Sequence, residues 1–221
     1  MSQGEGATYR LGERGYGTHA ALLELVRSGA RLLDLGAAGG YVSELARDRK
    51  AARVLAVDLD AAACEESRAR GVETIQGDVA ELLAAGDLAY HGPFDQIMLA
   101  DLLEHLLDPD AALARAVTLL APGGEVIISL PNIAYVRARA RLARGVWRYE
   151  RTGIFDRTHL RFFTRRTARE MVEGAGLTIH REIPVGPASY LLGRRAVGIT
   201  RLRPELLASQ LVMSAGPVGP R

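Results

Sequence analysis

Residues 31–40 read Arg-Leu-Leu-Asp-Leu-Gly-Ala-Ala-Gly-Gly, a short apolar run that ends in a glycine-rich turn. Further apolar runs of strand length follow it, and stretches with helical spacing lie between them. Strands that alternate with helices in this way predict βαβ units and a parallel sheet with helices on both faces. The sequence therefore predicts a doubly wound α/β domain. Its strands are expected at residues 31–36, 53–58, 72–75, 94–101 and 125–131, and the helices between them at 41–49, 61–70 and 104–120.

The two ends of the chain are less regular than this central part. Residues 1–17 hold five glycines and are expected to form a flexible N-terminal segment, which leaves residues 18–221 as a single domain. Thr18 is a candidate cap for a helix over residues 18–28. The C-terminal part is expected to add a helix at 165–175 and strands at 177–185 and 210–214.

The composition is that of an ordinary globular protein. The 221 residues are 48% hydrophobic and 24% charged, and a net charge of +2 is too small to indicate a nucleic-acid or membrane partner by itself. The single cysteine, Cys64, excludes a disulfide framework or a cysteine-based metal site within one chain, which fits a reducing cytoplasm. No apolar run approaches the roughly 18 residues of a transmembrane helix, and the first residues show no secretory signal.

Acidic side chains recur where the predicted parallel strands end. Ligands of doubly wound sheets bind at this edge, near the point where the strand order reverses. A single aspartate at such a position is usually explained as a helix cap, and each of these could be one. Four of them at successive strand ends favour a ligand site. They are Asp34, Asp58, Asp78 and Asp101.

The order of small residues in the first turn indicates which kind of ligand to expect. Residues 36–40 read Gly-Ala-Ala-Gly-Gly, which is not the G-x-G-x-x-G spacing of a pyrophosphate cradle. Asp34 before the turn would repel phosphate and suits a cationic ligand. Asp58, about 20 residues beyond the turn, suits hydrogen bonding to a ribose diol. Asp78 could accept a hydrogen bond from an adenine amino group.

These residues, in this order, resemble class I S-adenosylmethionine-dependent methyltransferases over about residues 18–185. The resemblance implies a Rossmann-like sheet of seven strands in the order 3-2-1-4-5-7-6, with strand seven antiparallel. It also implies S-adenosylmethionine as cofactor and S-adenosylhomocysteine as product. Ala38 stands where the family usually has the middle glycine of its turn. The cofactor-binding residues that the resemblance implies are Tyr16, Asp34, Gly36, Ala37, Gly39, Gly40, Asp58, Leu59, Asp78, Val79, Ala100 and Asp101.

The string Asp101-Leu-Leu-Glu104-His105 supplies candidates for the chemistry. Transfer to a hydroxyl requires removal of its proton, so a base or a metal is expected. If a helix begins near residue 101, Asp101 and His105 share one helix face; His105 is then the expected general base, with Asp101 orienting it or the substrate. The same string is similar to the metal-binding element of ubiquinone-pathway O-methyltransferases, so a divalent ion on Asp101, Glu104 and His105 is an alternative. His105 could also simply pack at the helix start.

Residues 145–164 are expected to form an insertion over the acceptor site, in which aromatic residues alternate with arginines. Part of this segment, residues 156–164, resembles methyltransferases of bacterial surface-polysaccharide and secondary-metabolite clusters. The expected acceptor is a small molecule, and arginines would suit an anionic group on it. Equally, Arg157 and Arg161 could hold the segment in place through an acidic partner or a helix end. The acceptor-site candidates are Arg148, Tyr149, Arg157 and His159.

Several methyltransferase reactions on macromolecules are excluded by the residues present. Methylation of a base at C5 requires a cysteine nucleophile in the site, but Cys64 lies on a predicted helix away from it. RNA 2′-O-methylation of the Lys-Asp-Lys-Glu type requires two lysines, and Lys50 is the only lysine. Amine methylation in DNA uses an Asn/Asp-Pro-Pro-aromatic motif, which the end of the fourth strand lacks. No nucleic-acid partner is therefore expected. The leading hypothesis is an O-methyltransferase acting on a sugar or secondary metabolite. The alternatives are an N-methyltransferase acting on a small amine and a non-catalytic cofactor-binding partner or regulatory subunit. Residues 186–207 are expected to cover the last strands, with a homodimer contact or a surface helix as alternatives.

Overall fold

The computed structural model describes residues 17–217, with the side chains of positions 190–192 and 196 left aside. Its seven strands form one sheet in the order β3-β2-β1-β4-β5-β7-β6. β7 runs antiparallel to both β5 and β6, and the other pairs are parallel. This confirms the Rossmann-like sheet that the resemblance to class I methyltransferases implied. The strands are β1 Arg31–Leu35, β2 Arg53–Asp58, β3 Glu73–Gln76, β4 Phe94–Ala100, β5 Leu120–Pro131, β6 Leu177–Val185 and β7 Gln210–Pro217.

Helices connect the strands and cover both faces of the sheet. They are α1 Thr18–Leu25, α2 Tyr41–Lys50, α3 Ala61–Ala69, α4 Val79–Ala85, α5 Pro109–Val117, α6 Val136–Ala143, α7 Arg165–Gly174, α8 Pro187–Leu192, α9 Val197–Leu202 and α10 Pro204–Leu207, with 3-10 turns at Asp87–His91, Leu103–His105 and Gly193–Ala196. None of the helices within residues 17–217 is long and apolar enough to cross a bilayer. The predicted flexible segment lies almost wholly outside the described residues.

Two expected helices differ from the structure. The helix predicted over 104–120 is only α5, preceded by a separate 3-10 turn. Pro109 explains the break, because a residue before proline is disfavoured in the helical region, and Asp108 instead caps α5 by accepting a hydrogen bond from the Ala111 amide at 2.9 Å. The first helix ends at Leu25 rather than at residue 28, and its N-cap is Gly17 rather than Thr18.

The sheet is buried on both sides, so successive residues of its central strands enter two separate cores. Leu33 of β1 packs in the core under α4, α5 and α7, whereas Leu32 packs in the core under α1 and α2. Val126 and Ile127 of β5 divide in the same way. Burial of each such side chain contributes about 1.5–3 kcal/mol. A sheet held from both faces in this way fixes the positions of its strand ends, and the strand order reverses between β1 and β4, where ligands of such sheets bind.

Candidate functional site

The turn after β1 bends sharply through three left-handed residues. Gly36, Ala38 and Gly40 have φ of 75°, 47° and 71°. At Gly40 a side chain is also excluded by packing, because a Cβ there would lie 2.4 Å from the Ser67 hydroxyl and 3.0 Å from its Cα. The turn therefore brings the start of α2 close to α3 and leaves its backbone open at the sheet edge, as a ligand approaching the helix amide end requires.

Asp34 lies below this turn and is 2% exposed. Its Oδ2 accepts a hydrogen bond from the Ser43 hydroxyl at 2.5 Å. Burial, opposed by the Ser43 hydrogen bond and reinforced by the charge of Asp58, raises the pKa of Asp34 to about 7. The carboxyl therefore holds a proton more readily than an exposed aspartate does, and a nearby cationic group would favour its charged form.

Asp58, at the end of β2, joins the glycine turn to the start of α3. Its Oδ2 accepts a hydrogen bond from the Ala38 amide at 2.7 Å, and its Oδ1 accepts one from the Asp60 amide at 2.9 Å. Each carboxylate oxygen can accept a second bond, so the group still has capacity for hydroxyls. Leu59 beside it is 65% exposed and forms an apolar rim at this edge.

Asp78 caps a helix, as the alternative interpretation expected, but with only one of its carboxylate oxygens. Its Oδ1 accepts hydrogen bonds from the Ala80 and Glu81 amides at 2.7 and 3.1 Å, which caps α4. Its Oδ2 makes no hydrogen bond within residues 17–217 and could accept one from a ligand. Val79 is buried in the core, so only its backbone is available at the site.

Asp101 follows β4 with φ of 51°, a left-handed conformation that turns the chain back over the sheet edge. Its Oδ1 accepts hydrogen bonds from the Ser129 hydroxyl at 2.7 Å and from the Gln210 side-chain amide. Ala100, just before it, is half-buried and packs on the core under α1 and α2. Because no helix begins at Asp101, the helical relation expected between Asp101 and His105 is not formed.

Glu104, His105 and His159, which we call the β4 cluster, meet beside Asp101. One ligand atom of each residue lies within 4.8 Å of those of the other two. The His105 and His159 rings are in edge contact, with centroids 4.8 Å apart. Burial, and next the charge of Asp101, raises the pKa of Glu104 to about 9. Burial also lowers the pKa of His159, so a neutral imidazole is favoured there.

Residues 145–164, which we call the lid, carry their own aromatic cluster. The Trp147 ring lies 5.1 Å from those of Phe155 and Phe162, and the Arg141 guanidinium of α6 lies 4.2 Å above Phe155. Backbone amides of the lid also bond to the β4 cluster: Leu160 and Arg161 donate to the Glu104 carbonyl at 2.8 and 3.0 Å. The lid is therefore held at the end of β4.

The four acceptor-site candidates of the lid are placed differently. His159 reaches the β4 cluster. Arg148, Tyr149 and Arg157 are exposed, and in the part of the chain that the structure describes no hydrogen bond or ring contact joins their side chains to the strand ends. Arg161 donates to the Leu107 carbonyl at 2.6 Å, so it contacts the loop before α5 and not an acidic side chain or a helix end.

Sequence reasoning missed the residues that hold these groups in place, namely Ser43, Ser129 and Gln210. Each is an uncharged polar residue within a helix or a strand, and none belongs to a sequence motif. Gln210 reaches Asp101 from 109 residues further along the chain. Tyr16, an expected cofactor contact, lies outside the described residues.

The sheet order, the left-handed turn after β1 and the aspartates at the strand ends together define a class I S-adenosylmethionine-dependent methyltransferase. The chain matches the family described as methyltransferase domain over residues 13–182, more than half of its length, and belongs to that family.

Relatives and solved structures agree with this assignment. The chain is similar to the ubiquinone biosynthesis O-methyltransferase of Xylella fastidiosa (strain 9a5c), with 41% identity over 108 residues that cover 48% of this chain and 43% of the relative. The match thus spans less than half the length of that relative. Among solved structures, the CcbJ methyltransferase from Streptomyces caelestis has a TM-score of 0.64 and 16% identity, covering 91% of this chain and 89% of that chain. An S-adenosylmethionine-dependent methyltransferase from Mesorhizobium loti has a TM-score of 0.60 and 19% identity, covering 89% and 96%.

Proposed function

We propose that the protein transfers a methyl group from S-adenosylmethionine to a hydroxyl of a small molecule. The observation that carries this proposal is the position of His105. Its Nδ1 donates a hydrogen bond to the Thr158 carbonyl at 3.2 Å, beside the end of β4. A carbonyl only accepts, so this contact assigns the hydrogen to Nδ1 and leaves the Nε2 lone pair to accept a proton. The similarity to ubiquinone biosynthesis O-methyltransferases supports a hydroxyl acceptor.

The cofactor is expected along the strand ends of β1, β2 and β4. Asp34, through its charged form, suits the amino group of the methionine moiety, and Asp58 suits the ribose hydroxyls. The free oxygen of Asp78 and the backbone at Val79 suit the adenine, against the apolar rim of Leu59. The full proposed set is Tyr16, Asp34, Gly36, Ala37, Gly39, Gly40, Asp58, Leu59, Asp78, Val79, Ala100 and Asp101.

Methyl transfer from a sulfonium is an in-line displacement. The bond from the acceptor oxygen to the methyl carbon forms as the carbon–sulfur bond breaks, and sulfur keeps the electron pair of that bond. The hydroxyl proton passes to the His105 Nε2. Alignment of the two reactants is the main contribution of the fold and is worth up to about 7–11 kcal/mol. Positioned proton removal contributes a further 10²–10⁴-fold or so.

The acceptor pocket is expected between the end of β4 and the lid. Its polar groups are the β4 cluster on one side and the exposed lid residues Arg148, Tyr149 and Arg157 on the other. The arginines suit an anionic acceptor, such as a phosphorylated or carboxylated sugar or secondary metabolite. A homodimer and a cytoplasmic location remain predictions from the sequence.

The test is methyl transfer from labelled S-adenosylmethionine to a panel of phenols, catechols, sugars and primary amines. We expect label on hydroxyl compounds. His105→Ala should lower that rate by about 10²–10⁴-fold while S-adenosylhomocysteine still binds by calorimetry. His91→Ala is the matched control, because His91 lies just before the N-terminal end of β4, whereas His105 lies beyond its C-terminal end.

Label on amines alone, with no loss in His105→Ala, would replace this proposal by N-methylation, because a neutral amine attacks without a base. Binding of S-adenosylhomocysteine without transfer to any compound class would favour a non-catalytic cofactor-binding protein.

A further inference from the structure

We propose that Asp156 of the lid is a positioning residue for His105: by fixing the Thr158 carbonyl, it holds the imidazole in the tautomer whose Nε2 accepts a proton. Asp156 acts through the backbone of the lid and not on a reactant. Its role rests on the proposed function, in which His105 is the base, and makes that base depend on the lid being in place.

The His105 ring makes one hydrogen bond within residues 17–217. Its Nδ1 donates to the Thr158 carbonyl at 3.2 Å. The edge contact with the His159 ring, with centroids 4.8 Å apart, restricts the tilt of the ring but does not distinguish its two nitrogens. A neutral imidazole carries its hydrogen on either nitrogen, and the hydrogen bond made by one nitrogen decides which. The Thr158 carbonyl therefore selects the tautomer of His105.

The Thr158 carbonyl is oriented in turn by Asp156. The Asp156 Oδ1 accepts hydrogen bonds from the Thr158 amide at 2.8 Å and from the Thr158 hydroxyl at 2.7 Å. The backbone carbonyl of Asp156 accepts a third from the His159 amide at 3.2 Å. That amide belongs to the same planar peptide group as the Thr158 carbonyl. Asp156 thus holds the peptide group from its amide side, while the carbonyl side faces His105.

Asp156 is itself fixed within the lid. Its amide donates to the Gly153 carbonyl at 2.9 Å, and the neighbouring Phe155 is buried against the Trp147 ring. Burial would raise the pKa of Asp156, but the two Thr158 hydrogen bonds and the nearby histidines together lower it below its ordinary value. The group is therefore a carboxylate at neutral pH, and a carboxylate accepts both bonds from Thr158.

A purely local turn is the other explanation of these bonds, because aspartate often accepts from the amide two residues further on. The two explanations differ in what happens to His105. A local turn can be lost without any change in the imidazole, whereas a positioning role requires that the ring respond when Asp156 is replaced.

The first measurement is the tautomer of His105, observed by nitrogen NMR of histidine-labelled protein at mildly alkaline pH, where imidazoles are neutral. The signals of His105 are those missing in His105→Ala. We expect the Nδ1–H tautomer in the wild type and a mixture with the Nε2–H tautomer in Asp156→Ala. Asp156→Asn keeps an oxygen that accepts both bonds, so it should keep the wild-type tautomer.

The second measurement is a double-mutant cycle in the labelled-methyl assay, run with the hydroxyl compound that takes up label. Asp156→Ala should lower kcat by about 10–100-fold with little change in the KM for S-adenosylmethionine, because a misplaced base slows the chemical step and not cofactor binding. In the His105→Ala background it should lower kcat by less than about twofold, because the group that it positions is absent.

Asp95→Ala is the matched control for both measurements. Asp95 is also a half-buried aspartate that accepts a backbone amide, that of Arg31 at 2.8 Å, but it lies in the first turns of β4, at the end away from His105. Its replacement should alter neither the tautomer of His105 nor kcat.

Urea unfolding of each variant shows whether it is folded. If Asp156→Ala is not, Thr158→Val replaces it: this variant removes the hydroxyl bond alone and should shift the His105 tautomer in the same direction by a smaller amount. The proposal is overturned if the folded variant keeps the wild-type tautomer, or if Asp156→Ala lowers kcat equally with and without His105. Transfer to amines alone, undiminished in His105→Ala, would instead contradict O-methylation, and the NMR measurement would still decide whether Asp156 orients the ring.

Discussion

Ala38, in the glycine turn, has φ of 47°. Residues other than glycine rarely adopt this left-handed conformation. The left-handed region costs an L-residue about 1–2 kcal/mol, whereas glycine loses about 0.5–1 kcal/mol of chain entropy on folding relative to alanine. Ala38→Gly should therefore leave the free energy of unfolding unchanged or raise it. The Ala38 amide still donates to Asp58 in that variant.

The matched control for this substitution is Ala114→Gly, on an exposed position inside α5. It should lose about 1 kcal/mol, the usual helix-propensity difference. Urea unfolding of both variants measures the contrast. Equal losses in the two would show that the turn does not strain residue 38.

The raised pKa of Asp34 links stability to pH. At pH values between the unfolded-state pKa of Asp34 and about 7, the folded protein holds a proton on Asp34 that the unfolded chain has released. Stability must therefore fall as pH rises through this range, by up to about 1.4 kcal/mol per unit. The loss ends once pH exceeds the folded-state pKa.

Asp34→Asn removes this titration and keeps a polar group beside Ser43. The difference in unfolding free energy between wild type and Asp34→Asn should shift in favour of the variant between pH 5 and 7, measured by urea unfolding at each pH. Glu104 titrates in both proteins and cancels in the difference. A pH-independent difference for Asp34→Asn would contradict the burial argument.

At the scale of elements, the connection from β4 to α5 shows what the sequence could and could not predict. The apolar spacing after residue 104 is helical, but Asp108-Pro109 interrupts it, and Asp101 turns the chain through a left-handed conformation. Pro109 is the signal in the sequence that indicates this break. The conformation of Asp101 is set instead by hydrogen bonds to Ser129 of β5, which no local pattern indicates.

The lid is ordered in part by its own aromatic cluster. Trp147 is in edge contact with Tyr149, Phe155 and Phe162. Trp147→Ala should therefore loosen the lid alone: trypsin should cut it several-fold faster, while S-adenosylhomocysteine affinity and the unfolding midpoint change little. Time courses of digestion measure this.

Tyr90→Ala removes an aromatic side chain that is 90% exposed before β4 and serves as the control for Trp147→Ala. It should leave lid cleavage unaltered. A global loss of stability in Trp147→Ala would instead mean that the aromatic cluster belongs to the domain core.

For the whole molecule, the sheet order was predictable because it followed from a resemblance, and the aspartates at the strand ends were predictable because strand ends can be read from the sequence. The residues that form hydrogen bonds with those aspartates were not predictable. β7 lies between β5 and β6 although it is the last strand in the chain, and this order brings Gln210 to Asp101. Such a contact depends on strand register across the whole sheet, which single-sequence patterns do not encode.

Gln210 therefore tests whether the last strand contributes to the site. Gln210→Ala removes one of the two donors to the Asp101 Oδ1, which then accepts a hydrogen bond from Ser129 alone. Asp101 should then lose its fixed orientation, and methyl transfer should fall by about tenfold or more while S-adenosylhomocysteine still binds. Gln210→Glu should be worse than Gln210→Ala, because it sets a second carboxylate against Asp101 and repels it. Rates in the labelled-methyl assay, together with urea unfolding of both variants, check this ranking. If Gln210→Glu were as active as the wild type, the orientation of Asp101 would not matter for the reaction. β7 would then contribute to the sheet but not to the site.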